Sequence, residues 1–245
     1  MSRKEEEYYK IAGEASRNAS HPAVLAIKNA AKSSKRILDL GCGEGTRLGN
    51  LKTKGDKTGV DVSDFAIKKA KKKFSHVQFI KADIEKLPFK SNSFDLVYCM
   101  FVIEHTNNPE KVLRETVRVL EDGGTLILGA PNFGAPNRTS PNSKENKLLK
   151  LLKGFILLTP KNSLNWTKVT PAKGKYFIDA DTQVEPYIGS LTAFLRNLGL
   201  RVVATSSLWK IDDFSLKQFP FRILGDLKIP PFVWWGPQIF VIAKK

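Results

Sequence analysis

The sequence predicts an α/β fold in which a mostly parallel sheet carries helices on both faces. Three observations predict it. Short apolar runs alternate with amphipathic runs from residue 36 to residue 131. The first run, "RILDLG", opens onto glycines at 41, 43 and 45, which let the backbone turn sharply into a helix. The apolar runs are nearly continuous rather than alternating, as strands buried on both faces require.

Each element follows from its own pattern. Residues 22–33, "PAVLAIKNAAKS", read as a helix, with Pro22 suited to a first turn. "RILDLG" is a strand and "TRLGNLK" begins a helix. "KTGVDV" is a strand, and "DFAIKKAKKKF" is a helix whose inner face carries Phe65, Ala66, Ala70 and Phe74. "VQFIKAD" and "FDLVYCMF" are strands. "PEKVLRETVRVLEDGG" is a helix with Val112, Leu113, Val117 and Leu120 at helical spacing, which Gly123 and Gly124 are expected to stop. "TLILGAP" completes five strands by residue 131. Further on, "PYIGSLTAFLRNLGL" (186–200) is a helix, and "RVVATSSLW" and "PQIFVIAKK" are strand-like.

The predicted layout is a single domain over 1–245. It has a helical N-terminal segment (1–35), a core (36–131), a cap-like insert (132–185), and a C-terminal part (186–245) with a second insert at 212–236. Connections this long within one domain usually carry function.

The net charge is +16, with +6 in residues 1–130 and +10 in residues 131–245. A basic surface attracts nucleic acid, anionic lipid or phosphorylated small molecules without choosing among them. The lysine run at 68–74 lies on the helix after the second strand. With no RNA-binding module beside it and the aromatic residues elsewhere, it reads as a solvated face. The N-terminal residues lack an apolar signal-peptide region, and no run is long enough to span a bilayer, so a cytoplasmic location is expected. Cys42 and Cys99 are far apart and set in apolar sequence, which favours reduced thiols.

Glycines between a strand and a helix N-terminus suit a close ligand. A dinucleotide's pyrophosphate would want G-x-G-x-x-G, and Thr46 stands where the third glycine would fall. Asp61 ends the second strand, where a carboxylate can accept hydrogen bonds from a ribose diol. Asp83 ends the third strand and can either face an adenine amine or cap a helix.

The string "ILDLGCGEGT … GVDVS … FIKADIEKLPF … FDLVYCMFVIEHTNNPEKVLRETVRVLEDGGTLILGAPN" resembles the class I S-adenosylmethionine-dependent methyltransferases. It is most similar to their small-molecule (type 11-like) branch, in which "EH" follows the fourth strand and "RVL-x-x-GG" precedes the fifth. The match runs nearly without gaps from residue 36 to residue 132. The resemblance implies a Rossmann-like, seven-stranded sheet with its last strand antiparallel, and S-adenosylmethionine as cofactor. It assigns Asp39, Gly41, Cys42 and Gly43 to the methionine end of the cofactor. Asp61 and Val62 match the ribose and adenine edge, Asp83 and Ile84 the adenine, and Met100 the pocket wall. The implied activity is methyl transfer.

His105, just beyond the fourth strand, is the candidate general base for a hydroxyl acceptor, with a loop-organising role as its rival. Asn132 is a candidate acceptor contact or the start of a turn. Tyr8 and Tyr9 are candidate lid residues over the substrate. The place after the fourth strand reads "CMFVIEH" rather than the Asn/Asp-Pro-Pro-Tyr/Phe of base N-methylating relatives, which counts against nucleic acid as the acceptor. No metal is expected. In "ENKLLKLLKGFILLTPK" (145–161), Leu148, Leu151, Leu152, Phe155 and Ile156 share a helical face bordered by lysines at 144, 147, 150 and 153. Such a segment is a cap helix or a membrane-surface helix. Together the inserts predict a small-molecule acceptor with an anionic head and an apolar or sugar body, such as a lipid-linked or nucleotide-linked glycan precursor or a quinone-type precursor, and allow peripheral membrane contact. The competing readings are an RNA methyltransferase, a non-catalytic methyltransferase-like binding protein, and an NAD-dependent oxidoreductase.

Overall fold

The computed structural model describes residue 9 and residues 22–156, 163–171, 179–208 and 219–245. Tyr8 and the insert segments 157–162, 172–178 and 209–218 lie outside the described residues.

Seven strands form one sheet. They are β1 (Arg36–Leu40), β2 (Asp56–Asp61), β3 (Gln78–Lys81), β4 (Phe94–Met100), β5 (Leu120–Pro131), β6 (Arg201–Leu208) and β7 (Gln238–Lys244). Their spatial order is β3-β2-β1-β4-β5-β7-β6. The helices are α1 (Pro22–Ala31), α2 (Thr46–Gly49), α3 (Asp64–Lys73), α4 (Pro109–Val119), α5 (Lys147–Ile156), α6 (Ile188–Asn197) and α7 (Phe219–Asp226). This is the Rossmann-like, mostly parallel sheet that the sequence predicts, with its last strand antiparallel. The reversal is visible in the bonds. Gly123 N–H donates to Lys245 O, while Asn132 N–H donates to Pro237 O, so partner numbers fall as those of β5 rise.

The chain divides into two compact units. One comprises Met1–Val102, Asn108–Leu128 and Ala243–Lys245; the other comprises Ile103–Asn107 and Gly129–Ile242.

In the first unit, β1 pairs in parallel with β2 and with β4, and β2 pairs with β3. Leu40 is paired with Val60 and Cys99, so the carboxyl ends of β1, β2 and β4 finish at one edge. The chain leaves β1 for β2 on one side and later returns to β4 on the other. That reversal opens a crevice at the carboxyl end, where open α/β sheets bind ligands. Ile37, Leu38, Leu40, Leu96, Val97 and Tyr98 are fully buried, as strands covered on both faces should be. Two helix starts are capped. The Ser63 side chain accepts from Ala66 N, and that of Asn108 accepts from Lys111 N with Pro109 in the first turn.

One boundary differs from expectation. The helix expected to run to Gly123 ends at Val119, and Leu120 is already in β5. Tertiary partners take its last carbonyls. Lys245 Nζ donates to the carbonyls of Val117 and Leu120, and Asn92 and Ser93 N–H donate to those of Arg118 and Val119.

The second unit packs Leu151 of α5, Phe221 of α7, Tyr187 and Phe232 around buried Trp235 and Ala135. Here α5 departs from its expected orientation. Leu151 faces this core, but Leu148, Leu149 and Leu152 are 66%, 49% and 53% exposed, while Lys150 is buried. Lys150 Nζ donates to Glu185 Oε2 and to Phe133 O, both at 2.8 Å. A buried carboxylate on the neighbouring segment therefore turns the helix, against the pull of its leucine face. The side chains of Phe155 and Ile156 lie outside the described residues.

Candidate active site

The glycine loop joins β1 to α2. Gly41, Gly43 and Gly45 have φ of 71°, 52° and 71°, a region that side chains disfavour. Close neighbours reinforce two of them. A Cβ on Gly41 would meet Val102 at 2.4 Å, and one on Gly45 would meet the Phe79 ring at 2.5 Å. Gly41 and Cys42 N–H both donate to Val60 O, which ties the loop to β2. Lys69 pairs with Glu44 at 2.9 Å, and Lys73 Nζ donates to Thr46 Oγ1 at 2.9 Å. Two lysines of the basic run thus brace the loop rather than sit idle in solvent.

Asp39, the last-but-one residue of β1, is fully buried. Neither of its carboxylate oxygens has a hydrogen-bond partner among the described residues. The Arg47 guanidinium and the Tyr98 hydroxyl are its polar neighbours. Burial pushes its pKa up to about 7, partly opposed by Arg47. Burial also raises the Cys42 thiol, aided by the Asp39 and Asp61 carboxylates, so the thiol stays protonated. Cys42 and Cys99 are not joined in a disulfide.

Asp61, at the end of β2, is buried. It accepts from Gly43 N through Oδ2 and from Ser63 N and the Tyr9 hydroxyl through Oδ1, at 2.9, 2.9 and 3.1 Å. Tyr9 lies with its ring 3.7 Å from where a Gly43 Cβ would be, and beside Phe65. Ala82 N–H donates to Asp61 O, so Asp83 leaves β3 beside the end of β2. Asp83 is exposed and its Oδ1 accepts from Glu85 N, an Asx-turn bond. Ile84 and Met100 are buried, whereas Val62 is 70% exposed. The first unit therefore contains Tyr9, Asp39, Gly41, Cys42, Gly43, Asp61, Val62, Asp83, Ile84 and Met100.

His105 and Asn132 belong to the second unit. Asn132 is fully buried, and its amide nitrogen donates to Trp234 O and Gly236 O while its oxygen accepts from Ile188 N. Both amide hydrogens are spent on backbone, which makes Asn132 a fastener of the C-terminal segment. Glu104 and His105 lie on a one-turn 3₁₀ helix, Ile103–His105. Glu104 is fully buried with both oxygens unpartnered among the described residues, and burial pushes its pKa up to about 7 against the pull of His105. Asp179 is raised too, by burial first. His105 Nδ1 lies 3.3 Å from Asp181 Oδ1.

Sequence reasoning missed Arg47, Tyr98, Asp179 and Asp181. Arg47 and Tyr98 sit in ordinary helix and strand positions and become neighbours of Asp39 only through packing. Asp179 and Asp181 lie in a turn with no local pattern.

Residues 38–128 match the family model described as "Methyltransferase domain". A demethylmenaquinone methyltransferase from Renibacterium salmoninarum is 37% identical over 109 residues, covering 43% of this chain and 46% of that protein. A ubiquinone biosynthesis O-methyltransferase from Nitrosomonas europaea is 31% identical over 106 residues, covering 41% of this chain and 45% of that protein. The matched segments thus span less than half of these relatives. An S-adenosylmethionine-dependent methyltransferase from Mesorhizobium loti superposes with a TM-score of 0.58 at 18% identity, covering 94% of this chain and 99% of that one. At that identity the likeness speaks for the fold.

Proposed function

We propose, for a chain that belongs to the class I S-adenosylmethionine-dependent methyltransferases through its domain at residues 38–128, that it transfers a methyl group from S-adenosylmethionine to a small-molecule acceptor. The observation that carries this is the buried carboxylate of Asp39, without a hydrogen-bond partner among the described residues, on the strand that leads into a loop of three positive-φ glycines. The residues fit the group. An ionisable carboxylate favours a cationic ligand over a pyrophosphate, and glycines leave room for close backbone approach. Asp61 already holds one hydroxyl, that of Tyr9, in the manner a ribose hydroxyl would be held. Asp83, Ile84, Val62 and Met100 complete the proposed adenosine side of the site.

When bound, the cofactor supplies a methyl group activated on a sulfonium. The protein's part is then to hold the acceptor in line and keep water out. Asp39 and the glycine backbone orient the amino-acid end, and Asp61, fixed by two backbone N–H groups, orients the ribose.

For the acceptor we propose an anionic or quinone-like molecule with an apolar body, met at a membrane surface. Residues 131–245 carry +10 of net charge. In the second unit, Leu148 and Leu152 of α5, Phe219 and Ile223 of α7, and Leu227 just after it are exposed. A surface both basic and apolar suits an interfacial ligand. No helix among the described residues is long and apolar enough to cross a membrane. The quinone-pathway names of two relatives point the same way.

Calorimetry with S-adenosylhomocysteine, followed by turnover on demethylated quinol acceptors, tests both parts. Absence of S-adenosylhomocysteine binding removes the methyltransferase reading. Binding with no turnover on any quinol removes the acceptor class alone.

A further inference from the structure

We propose that Glu104, His105 and Asp179, with Asp181 beside them, form a divalent-cation site. One ligand atom from each of Glu104, His105 and Asp179 lies within 4.8 Å of the others. All four residues belong to the second compact unit, so the site is internal to it.

The backbone is built to hold these side chains together. Gln183 and Val184 N–H both donate to Glu104 O, at 2.9 and 3.2 Å, and Gln183 Nε2 donates to His105 O at 2.7 Å. The segment that carries Asp179 and Asp181 is thereby laced to the Glu104–His105 turn. Asn142 Nδ2 anchors its other side by donating to Ala180 O at 2.8 Å.

An independent observation points to a ligand. Glu104 is fully buried, yet neither carboxylate oxygen has a hydrogen-bond partner among the described residues. His105 Nδ1 stands 3.3 Å from Asp181 Oδ1 without hydrogen-bond geometry. His105 Nε2 stands 3.8 Å from Glu104 Oε1, too far for a hydrogen bond. A buried carboxylate without donors is costly, and a protein relieves it by protonation, a paired charge or a metal. Of the nearby groups, Asp179 and Asp181 add negative charge, and His105 Nε2 lies beyond hydrogen-bond reach of Glu104. A cation at the centre satisfies all of them at once.

The donor set defines the class. One imidazole with carboxylate oxygens suits a first-row divalent ion, Zn²⁺ through the imidazole or Mn²⁺ through the carboxylates, better than Mg²⁺ with its all-oxygen preference. Ligand bonds of about 2.0–2.2 Å require the donors to draw together from their present spacing. Asp179 enters the cluster from a turn with a φ of 63°. Ligation gives His105 the role of a metal ligand in place of the free base that the sequence suggests. This inference stands independently of the methyltransferase reading.

The test is Mn²⁺ binding to the full chain after chelator treatment, read by loss of the free-ion electron paramagnetic resonance signal. The expected result is one saturable site, weakened at least tenfold in Glu104→Gln and in Asp179→Asn and unchanged in Asp122→Asn, a surface control. Circular dichroism establishes that each variant is folded, and Asp179→Asn, at a part-exposed position, serves if Glu104→Gln is not. Zn²⁺ competition should displace Mn²⁺, and Mg²⁺ at equal concentration should not. No saturable Mn²⁺ binding, or binding indifferent to both carboxylate changes, overturns the proposal. S-adenosylhomocysteine calorimetry on the same samples keeps this outcome separate from that of the proposed function.

Discussion

The Tyr9 hydroxyl donates to Asp61 Oδ1 at 3.1 Å, joining residues 52 positions apart. The other two partners of that carboxylate are backbone N–H groups of Gly43 and Ser63. They are fixed by the fold, so Tyr9 is the partner that a ligand hydroxyl can replace. Tyr9→Phe removes the competitor, and an adenosyl ligand is expected to bind roughly 3- to 10-fold more tightly, the span of one net hydrogen bond. Calorimetry with S-adenosylhomocysteine measures this. Weaker binding would mean instead that the hydroxyl contacts the ligand.

Asp39 predicts a pH dependence. Its folded pKa is raised from 3.8 to about 7 by burial. The folded chain therefore holds a proton that the unfolded chain has lost, and this contribution to stability falls as pH rises from about 4 to 7. A cationic ligand favours the ionised form. Affinity for S-adenosylmethionine should thus rise with pH up to about 7 and level off above it, with a proton released on binding. Asp39→Asn should flatten the profile. Titrations at several pH values check this, and an equal slope in the variant would remove Asp39 from the cofactor site.

Gly45→Ala puts a methyl group at positive φ and 2.5 Å from the Phe79 ring. The backbone conformation costs about 1 kcal/mol and the overpacking about 1–3 kcal/mol more. Urea unfolding should show a loss of that size. A change below about 0.5 kcal/mol would mean that the loop relaxes freely.

Lys150→Met strands Glu185, which is fully buried and whose remaining partner among the described residues is the Ser140 N–H. Breaking a buried pair costs about 3–5 kcal/mol, whereas removing both charges costs much less. The double variant Lys150→Met, Glu185→Gln should therefore be more stable than Lys150→Met alone. Chemical denaturation of the two decides it, and the reverse order would show that the pair is solvated.

Much of the first unit is legible from local pattern. The strand "RILDL" and its glycines, the strand-ending Asp61 and the capped helices are all set by near neighbours in the chain. Their physics is short-range: apolar runs bury, glycines turn, and Ser63 and Asn108 cap. The lysine run at 68–74 was half legible, since its helix was plain, but the ties of Lys69 and Lys73 to the glycine loop were not.

What the sequence by itself determined is the kind of sheet and where the glycine loop sits upon it, because periodicity and backbone freedom are properties of adjacent residues. Only the tertiary structure decided which charges are isolated. Nothing in "RILDL" shows that Asp39 is buried without a hydrogen-bond partner among the described residues. Nothing in "VIEH" shows that a distant turn brings Asp179 and Asp181 to Glu104 and His105. Desolvation depends on every atom that packs around a group, and the chain brings those atoms from far along its length. The helix face of Lys147–Ile156 was settled in the same way, by Glu185, a buried carboxylate on another segment that required Lys150 to turn inward.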